Sequence, residues 1–182
     1  MPTLGVYKAM EMTYADIVKG CLHHNPKAQR ALYDDLAPMA MGVCSRYAMS
    51  RDEAHDLLQD GFVKVYEKIG TLRNPDKLRS WVYNIMVNTC IQCYRKRQHE
   101  TLMEDMDVFD DPEEMPAFTT GEVLAALQRL TPSQRMAFNL CCIEDRSYDE
   151  AAGEMRCSNV NVRALVCHAR SRMRTILEQI NK

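Results

Sequence analysis

Glycine is scarce in this sequence, at 7 of 182 residues, and no alternation of apolar and polar residues runs long enough to make a strand. Those absences exclude a sheet-based fold and leave an all-α chain. No stretch approaches the ~18 uninterrupted apolar residues of a membrane helix, so no membrane insertion is expected. The opening residues, MPTLGVYKAMEMTYADIV, lack a basic stretch followed by an apolar run and a small-residue cleavage site, which predicts a cytoplasmic protein. Its 8 cysteines are then expected as reduced thiols, many of them buried. A nucleophile–base pair at readable spacing, a phosphate loop and a His/Glu metal cluster are also missing. No catalytic residue, metal or cofactor is therefore assigned.

Net charge is only −2, which looks wrong for a nucleic-acid binder until it is divided along the chain. Residues 1–97 carry 14 Lys+Arg against 10 Asp+Glu, a balance of +4. Residues 98–122 have no Lys or Arg and 9 Asp+Glu, a balance of −9. Residues 123–182 carry 9 against 6, a balance of +3. Two mildly basic segments thus flank an acidic strip. The length suits two small helical units.

What is present is helical punctuation. A first helix is predicted over 14–23, broken by Asn25-Pro26. A second covers 27–49, with Ala31, Leu32, Leu36 and Met39 on a buried face. Ser50 or Asp52 caps a third over 53–69, where Leu58, Phe62, Val65 and Ile69 form an apolar stripe and Gly70 ends the helix. A loop over 71–76 leads to a fourth helix, 77–98, closing on Arg95-Lys96-Arg97, where cations suit a helix C-terminus. The segment 99–121 has little periodicity and one sign of charge, and is expected to be a linker. Beyond it, Thr131-Pro132-Ser133-Gln134 and Ser147-Tyr148-Asp149-Glu150 are capping boxes. Ser158 caps a helix bearing Arg163, Arg170, Arg172 and Arg174, and the short helix, turn and Arg-rich helix read as a helix-turn-helix.

Four runs carry a resemblance to a known family. DLLQDGFVKVY at 56–66 is similar to the polymerase-binding helix of bacterial extracytoplasmic-function (ECF) sigma factors, and SWVYNIMVNT at 80–89 resembles their promoter-melting helix. LTPSQR at 130–135 and SYDEAA at 147–152 resemble the start of their carboxy-terminal DNA-binding domain. The runs occur in family order and at family spacing. The resemblance implies an all-α protein of two small helical domains: a region-two domain at 10–98, the acidic linker at 99–121, and a region-four helix-turn-helix domain at 122–182. It implies an alternative sigma factor that binds core RNA polymerase, recognises two promoter elements and promotes strand opening.

Site expectations follow residue by residue. Asp56, Gln59, Asp60 and Val63 share one helix face opposite the apolar stripe. Spacing alone allows a solvated acidic face, whereas the resemblance implies docking on the β′ clamp helices of the polymerase. On the fourth helix Asn84, Asn88, Gln92 and Arg95 form a polar stripe whose amides suit base edges and whose Arg suits phosphate. The resemblance implies that Leu72, Arg73, Asn74, Lys77, Arg79 and Trp81 join that stripe on the downstream promoter element, with the loop capturing an extruded base. Leu72 stands where relatives commonly offer an aromatic, and a tryptophan placed as Trp81 is more often core than contact. For the upstream element it implies Ser158, Asn159, Asn161, Arg163, Ala164 and His168. Leu165 and His168 replace residues that are often basic in relatives, and Arg156 occupies a turn where glycine is usual.

The acidic linker reads either as a solubilising spacer or, by resemblance, as a segment threading the RNA exit path. Partners implied are core RNA polymerase (β′ clamp helices and β flap), promoter DNA and, as is common for such proteins, an anti-sigma factor. The rival reading is a one-component helix-turn-helix regulator, which should carry a sensor or dimerisation domain in place of residues 1–97. Cys90 and Cys93 form a C-x-x-C within a helix, and buried thiols are expected there.

Overall fold

A computed structural model describes residues 12–98 and 119–180, so the predicted linker, apart from its last three residues, lies outside the described residues. Helix α1 (Tyr14–Leu22) starts at Thr13, which forms a capping box with Asp16. Asn25 caps α2 (Pro26–Tyr47) through bonds from the amides of Lys27 and Ala28, so the Asn-Pro break is also a start. Pro38 lies inside α2 on its exposed side, where its missing N–H costs one backbone bond without breaking the helix.

Ser50 caps α3 (Arg51–Lys68) by accepting from the Glu53 amide. Gly70 does not end α3 in a left-handed cap, because no described glycine has positive φ. The chain instead tightens into a 3₁₀ turn, Ile69–Thr71, and a second one, Pro75–Lys77, leads into α4 (Leu78–Gln98).

Four helices then share one core. Ile17 and Val18 of α1, Leu32, Leu36 and Ala40 of α2, Phe62 and Val65 of α3, and Leu78, Val82 and Met86 of α4 are all buried in it. The α3–α4 approach is close enough that a Cβ on Gly61 would fall 2.2 Å from the Met86 sulfur. Glycine there lets the two axes meet, at the cost of its weaker helix propensity.

The C-terminal unit comprises α5 (Thr120–Leu127), α6 (Pro132–Phe138), a π-helical turn (Asn139–Ile143), α7 (Tyr148–Met155) and α8 (Asn159–Ile180). Thr119/Glu122, Thr131/Gln134 and Ser147/Glu150 form capping boxes at the starts of α5, α6 and α7. Arg156 turns the chain between α7 and α8 with φ 56° and ψ 43°. The left-handed turn anticipated from a missing glycine is therefore present, with a side chain bearing a strain of about 1–2 kcal/mol.

Leu127, Leu130, Phe138, Met173 and Leu177 make a local core. Leu140, Met155, Val162 and Leu165 belong to a cluster that continues without interruption into the N-terminal unit. Polar contacts line the same seam. Arg135, only 1% exposed, donates to the carbonyls of Leu127 and Gln128, each at 2.8 Å, to that of Leu130 at 3.3 Å, and across the seam to Ala48. The last carbonyls of α5 carry the negative end of its dipole, so they solvate a buried cation that has no carboxylate beside it. Burial nonetheless pulls the Arg135 pKa below its ordinary value.

Candidate polymerase and nucleic-acid interfaces

On α3, Asp56, Gln59, Asp60 and Val63 are all exposed, and Val63 leaves 55% of its surface to solvent. The inward stripe of Leu57, Leu58, Phe62 and Val65 is buried, so helix periodicity presents the first four side chains together. Two carboxylates, an amide and an exposed valine make a surface suited to a partner offering guanidinium groups around an apolar contact.

The start of α4 builds a second feature. Met39 of α2 joins Asp76, Arg79, Ser80, Tyr83 and Asn84 around an open concavity of about 430 Å³. Its lining combines an aromatic ring and a thioether with a carboxylate, a guanidinium, a hydroxyl and an amide, a mixture able to hold a flat heterocycle and bond its edge. Of the predicted residues only Arg79 and Asn84 line it. Arg73, Asn74 and Lys77 are exposed, and Asn74 uses its side-chain oxygen on the Asp76 amide as a cap. Leu72 and Trp81 are half-buried and pack against the core, so each presents only part of its side chain to solvent. Further along α4, Asn88 and Gln92 are exposed beside Asn84. Lys64 of α3 donates to Gln92 Oε1 at 2.9 Å and to Thr89 Oγ1 at 3.1 Å.

Arg95 completes the stripe by register but faces the other unit, where its Nε donates to the Glu154 carbonyl at 2.6 Å. Tyr83 is held in the same way. Its hydroxyl donates to Glu144 Oε1 at 2.8 Å, and Arg46 Nη2 donates to that same oxygen at 2.9 Å. Burial, followed by the Glu144 carboxylate, raises the Tyr83 pKa above the ordinary phenol value. Tyr94 donates to Ser133, and Asn139 donates to the Arg46 carbonyl at 3.0 Å. The seam also buries Arg46 Nε, Tyr47 Oη, Asn139 Oδ1 and Glu154 Oε2 without hydrogen-bond partners. None of these long-range contacts leaves a local sequence signal.

At the α8 start the predicted residues divide. Ser158 is exposed and accepts from the Asn161 amide as a cap, while Asn159 donates to Asp149 Oδ1 at 2.6 Å. Arg163 is exposed with its guanidinium 5.2 Å from the Tyr148 ring centre, a cation–π distance. Asn161 and His168 are half-buried. Ala164 is fully buried, as is Leu165, so its methyl fills the core instead of facing outward. Val160, which the sequence reading passed over, is 58% exposed among these residues and suits contact with a thymine methyl.

Cys90 is buried and Cys93 half-buried, and all eight cysteines are free thiols. Hydrogen bonding to Cys44 and burial push the Cys90 thiol pKa up, away from reactivity. Among the described residues no His/Cys/Asp/Glu group could hold a metal, and no helix is long and apolar enough to cross a membrane.

Comparison with known proteins supplies a frame for these surfaces. Residues 32–100 match the family Sigma-70 region 2, and residues 120–173 match Sigma-70, region 4. The chain is 26% identical over 178 residues to the ECF RNA polymerase sigma-E factor of Haemophilus influenzae, covering 89% of this chain and 94% of that one. It is 29% identical over 156 residues to the ECF RNA polymerase sigma factor EcfG of Rhodopseudomonas palustris, covering 81% and 85%. A similar solved chain is the sigma factor RpoE of Bartonella quintana, crystallised with the anti-sigma factor NepR, at 23% identity and TM-score 0.48, covering 82% and 96%.

Proposed function

Because the chain belongs to the ECF-type RNA polymerase sigma factors, with sigma-70 regions 2 and 4, we propose a division of labour among its surfaces. As a sigma factor it is a non-enzymatic polymerase subunit that directs the polymerase to promoters. The region-two unit spans 10–98 and the region-four unit 122–182, with the acidic segment 99–121 between them, and the protein works in the bacterial cytoplasm.

Asp56, Gln59, Asp60 and Val63 dock on the β′ clamp helices. Arg73, Lys77, Arg79, Asn84, Asn88 and Gln92 face the downstream element, and the Met39–Asn84 concavity receives an unstacked base. Leaving the stack costs a few kcal/mol, which the Tyr83 ring and the polar rim offset. Ser158, Val160 and Arg163 meet the upstream element. The observation that carries this reading is the continuity of the concavity with the exposed Asn84–Gln92 stripe, on the helix next to the acidic α3 face.

Arg95 and Tyr83 are engaged by the C-terminal unit, so their use on DNA requires that unit to swing away first. The rival, a one-component regulator, would bind a duplex but would not initiate transcription. Run-off transcription with the purified chain and core polymerase tests the point. A promoter-specific transcript is expected, and Asp60→Ala should lower core affinity about tenfold or more while the helical spectrum is retained. Wild-type affinity for core in that variant would remove the α3 assignment.

A further inference from the structure

Lys64 sits on α3 four residues beyond Asp60, one turn along from the acidic face, yet its side chain reaches across to α4. Its ammonium lies 2.9 Å from Gln92 Oε1 and 3.1 Å from Thr89 Oγ1. Thr89 is itself anchored, being 3% exposed and donating to the Ile85 carbonyl at 2.8 Å. An ammonium has three donors and no acceptor. It can therefore hold only the oxygen of the Gln92 amide, and the amide nitrogen must turn outward. Gln92 is exposed on the stripe with Asn88, so two N–H donors face whatever lies along that stripe.

We infer that Lys64 is a positioning residue that fixes the Gln92 amide as a donor, and so gives the chain a base preference at one position of the downstream element. This rests on the reading that the Asn84–Gln92 stripe faces promoter DNA. In the major groove guanine offers O6 and N7 and thymine offers O4 as acceptors, whereas cytosine presents an amino donor. A free glutamine can turn either end to the groove and read adenine with both. One pinned by Lys64 favours G or T, tolerates adenine through N7, and meets cytosine donor to donor. The same lysine lies one turn from Asp60, so the α3 helix that docks on polymerase also aims a side chain that reads DNA.

The test uses holoenzyme reconstituted from the full chain and core polymerase, transcribing a promoter library randomised across the downstream element. Four proteins are compared: wild type, Lys64→Met, Lys64→Arg and Gln92→Ala. Wild type should favour G or T over C at one position by about two- to tenfold, the worth of one hydrogen bond. Gln92→Ala should erase that preference at that position alone. Lys64→Met should flatten it at the same position by admitting cytosine, with core binding and the other positions unchanged. Lys64→Arg should keep it, since a guanidinium also only donates. Thermal melting of Lys64→Met separates loss of fold from loss of aim, because Thr89 stays satisfied by Ile85.

A full G/T preference in Lys64→Met, or no position that responds to Gln92→Ala, overturns the inference. Absence of any promoter-specific transcript from the wild type would instead remove the promoter reading on which it stands.

Discussion

The two units use their polar side chains differently. On α3 of the N-terminal unit the side chains expected to meet a partner, Asp56, Gln59, Asp60 and Val63, are all exposed and off the core. In the C-terminal unit the corresponding residues also hold the fold together. Ser158 is a cap, Asn159 is tied to Asp149 and Arg163 lies over Tyr148, while Arg135, on no partner surface, is buried among four carbonyls. A smaller unit buries a smaller share of its surface, so polar groups matter more to its cohesion. Substitution should therefore separate function from stability on the α3 face and confound them at the start of α8.

The hardest way to strain that contrast is Arg135→Met. It fits the space with an apolar chain but leaves the Leu127, Gln128, Leu130 and Ala48 carbonyls without their donor. With several buried carbonyls left unsatisfied at about 1–3 kcal/mol each, a loss of about 3–5 kcal/mol is expected. Urea unfolding followed by circular dichroism measures it, and a change below 1 kcal/mol would mean that the carbonyls find water.

Glu144→Gln comes next. It keeps the shape but removes the charge that Arg46 and Tyr83 share across the seam, at side-chain exposures of 24% for Arg46 and 8% for Glu144. The seam should weaken by about 1–3 kcal/mol, and small-angle scattering should report a larger radius of gyration as the units part. An unchanged radius would show that the continuous apolar cluster alone holds them.

The smallest effect expected is a gain. Arg156→Gly relieves the left-handed backbone at φ 56° but adds freedom to the unfolded chain. A net stabilisation of about 0.5–1 kcal/mol follows, readable as a rise in melting temperature. A fall would show that the Arg156 side chain contributes more to the turn than its backbone costs.

Most of the architecture was legible from local signals. Ser50, Thr131 and Ser147 start helices where their side chains predict, because capping needs only residues three or four apart, while Asn25-Pro26, read as a break, is also a start. The same rule applied at Thr13–Asp16 and Thr119–Glu122 would have set the starts of α1 and α5, the latter inside the stretch read as linker. The α3 face was legible because a period of 3.6 separates buried from exposed positions. Ala164 was assigned by resemblance, although its place among Val162, Leu165 and Val166 puts it on the packed side of α8. The concavity and the seam were not legible. Met39 and Tyr83, Arg46 and Glu144, and Arg95 and Glu154 meet only after the helices pack, and no spacing rule reaches so far along the chain. Gly70 misled for a related reason: glycine permits a left-handed cap but does not require one.

The capping boxes have a consequence in acid. Those of α1, α5 and α7 close on carboxylates, and hydrogen bonds from Thr13, Thr119 and Ser147 hold the pKa values of Asp16, Glu122 and Glu150 below their ordinary values. A depressed carboxylate contributes stability above its unfolded pKa and loses it as pH falls through the folded one. The box of α6 closes on the Gln134 amide, which does not titrate. Below the ordinary carboxylate range α1, α5 and α7 therefore fray from their first turns, while α6, which carries Arg135, keeps its start. Protons thus loosen the frame around that buried guanidinium before they loosen the helix that bears it.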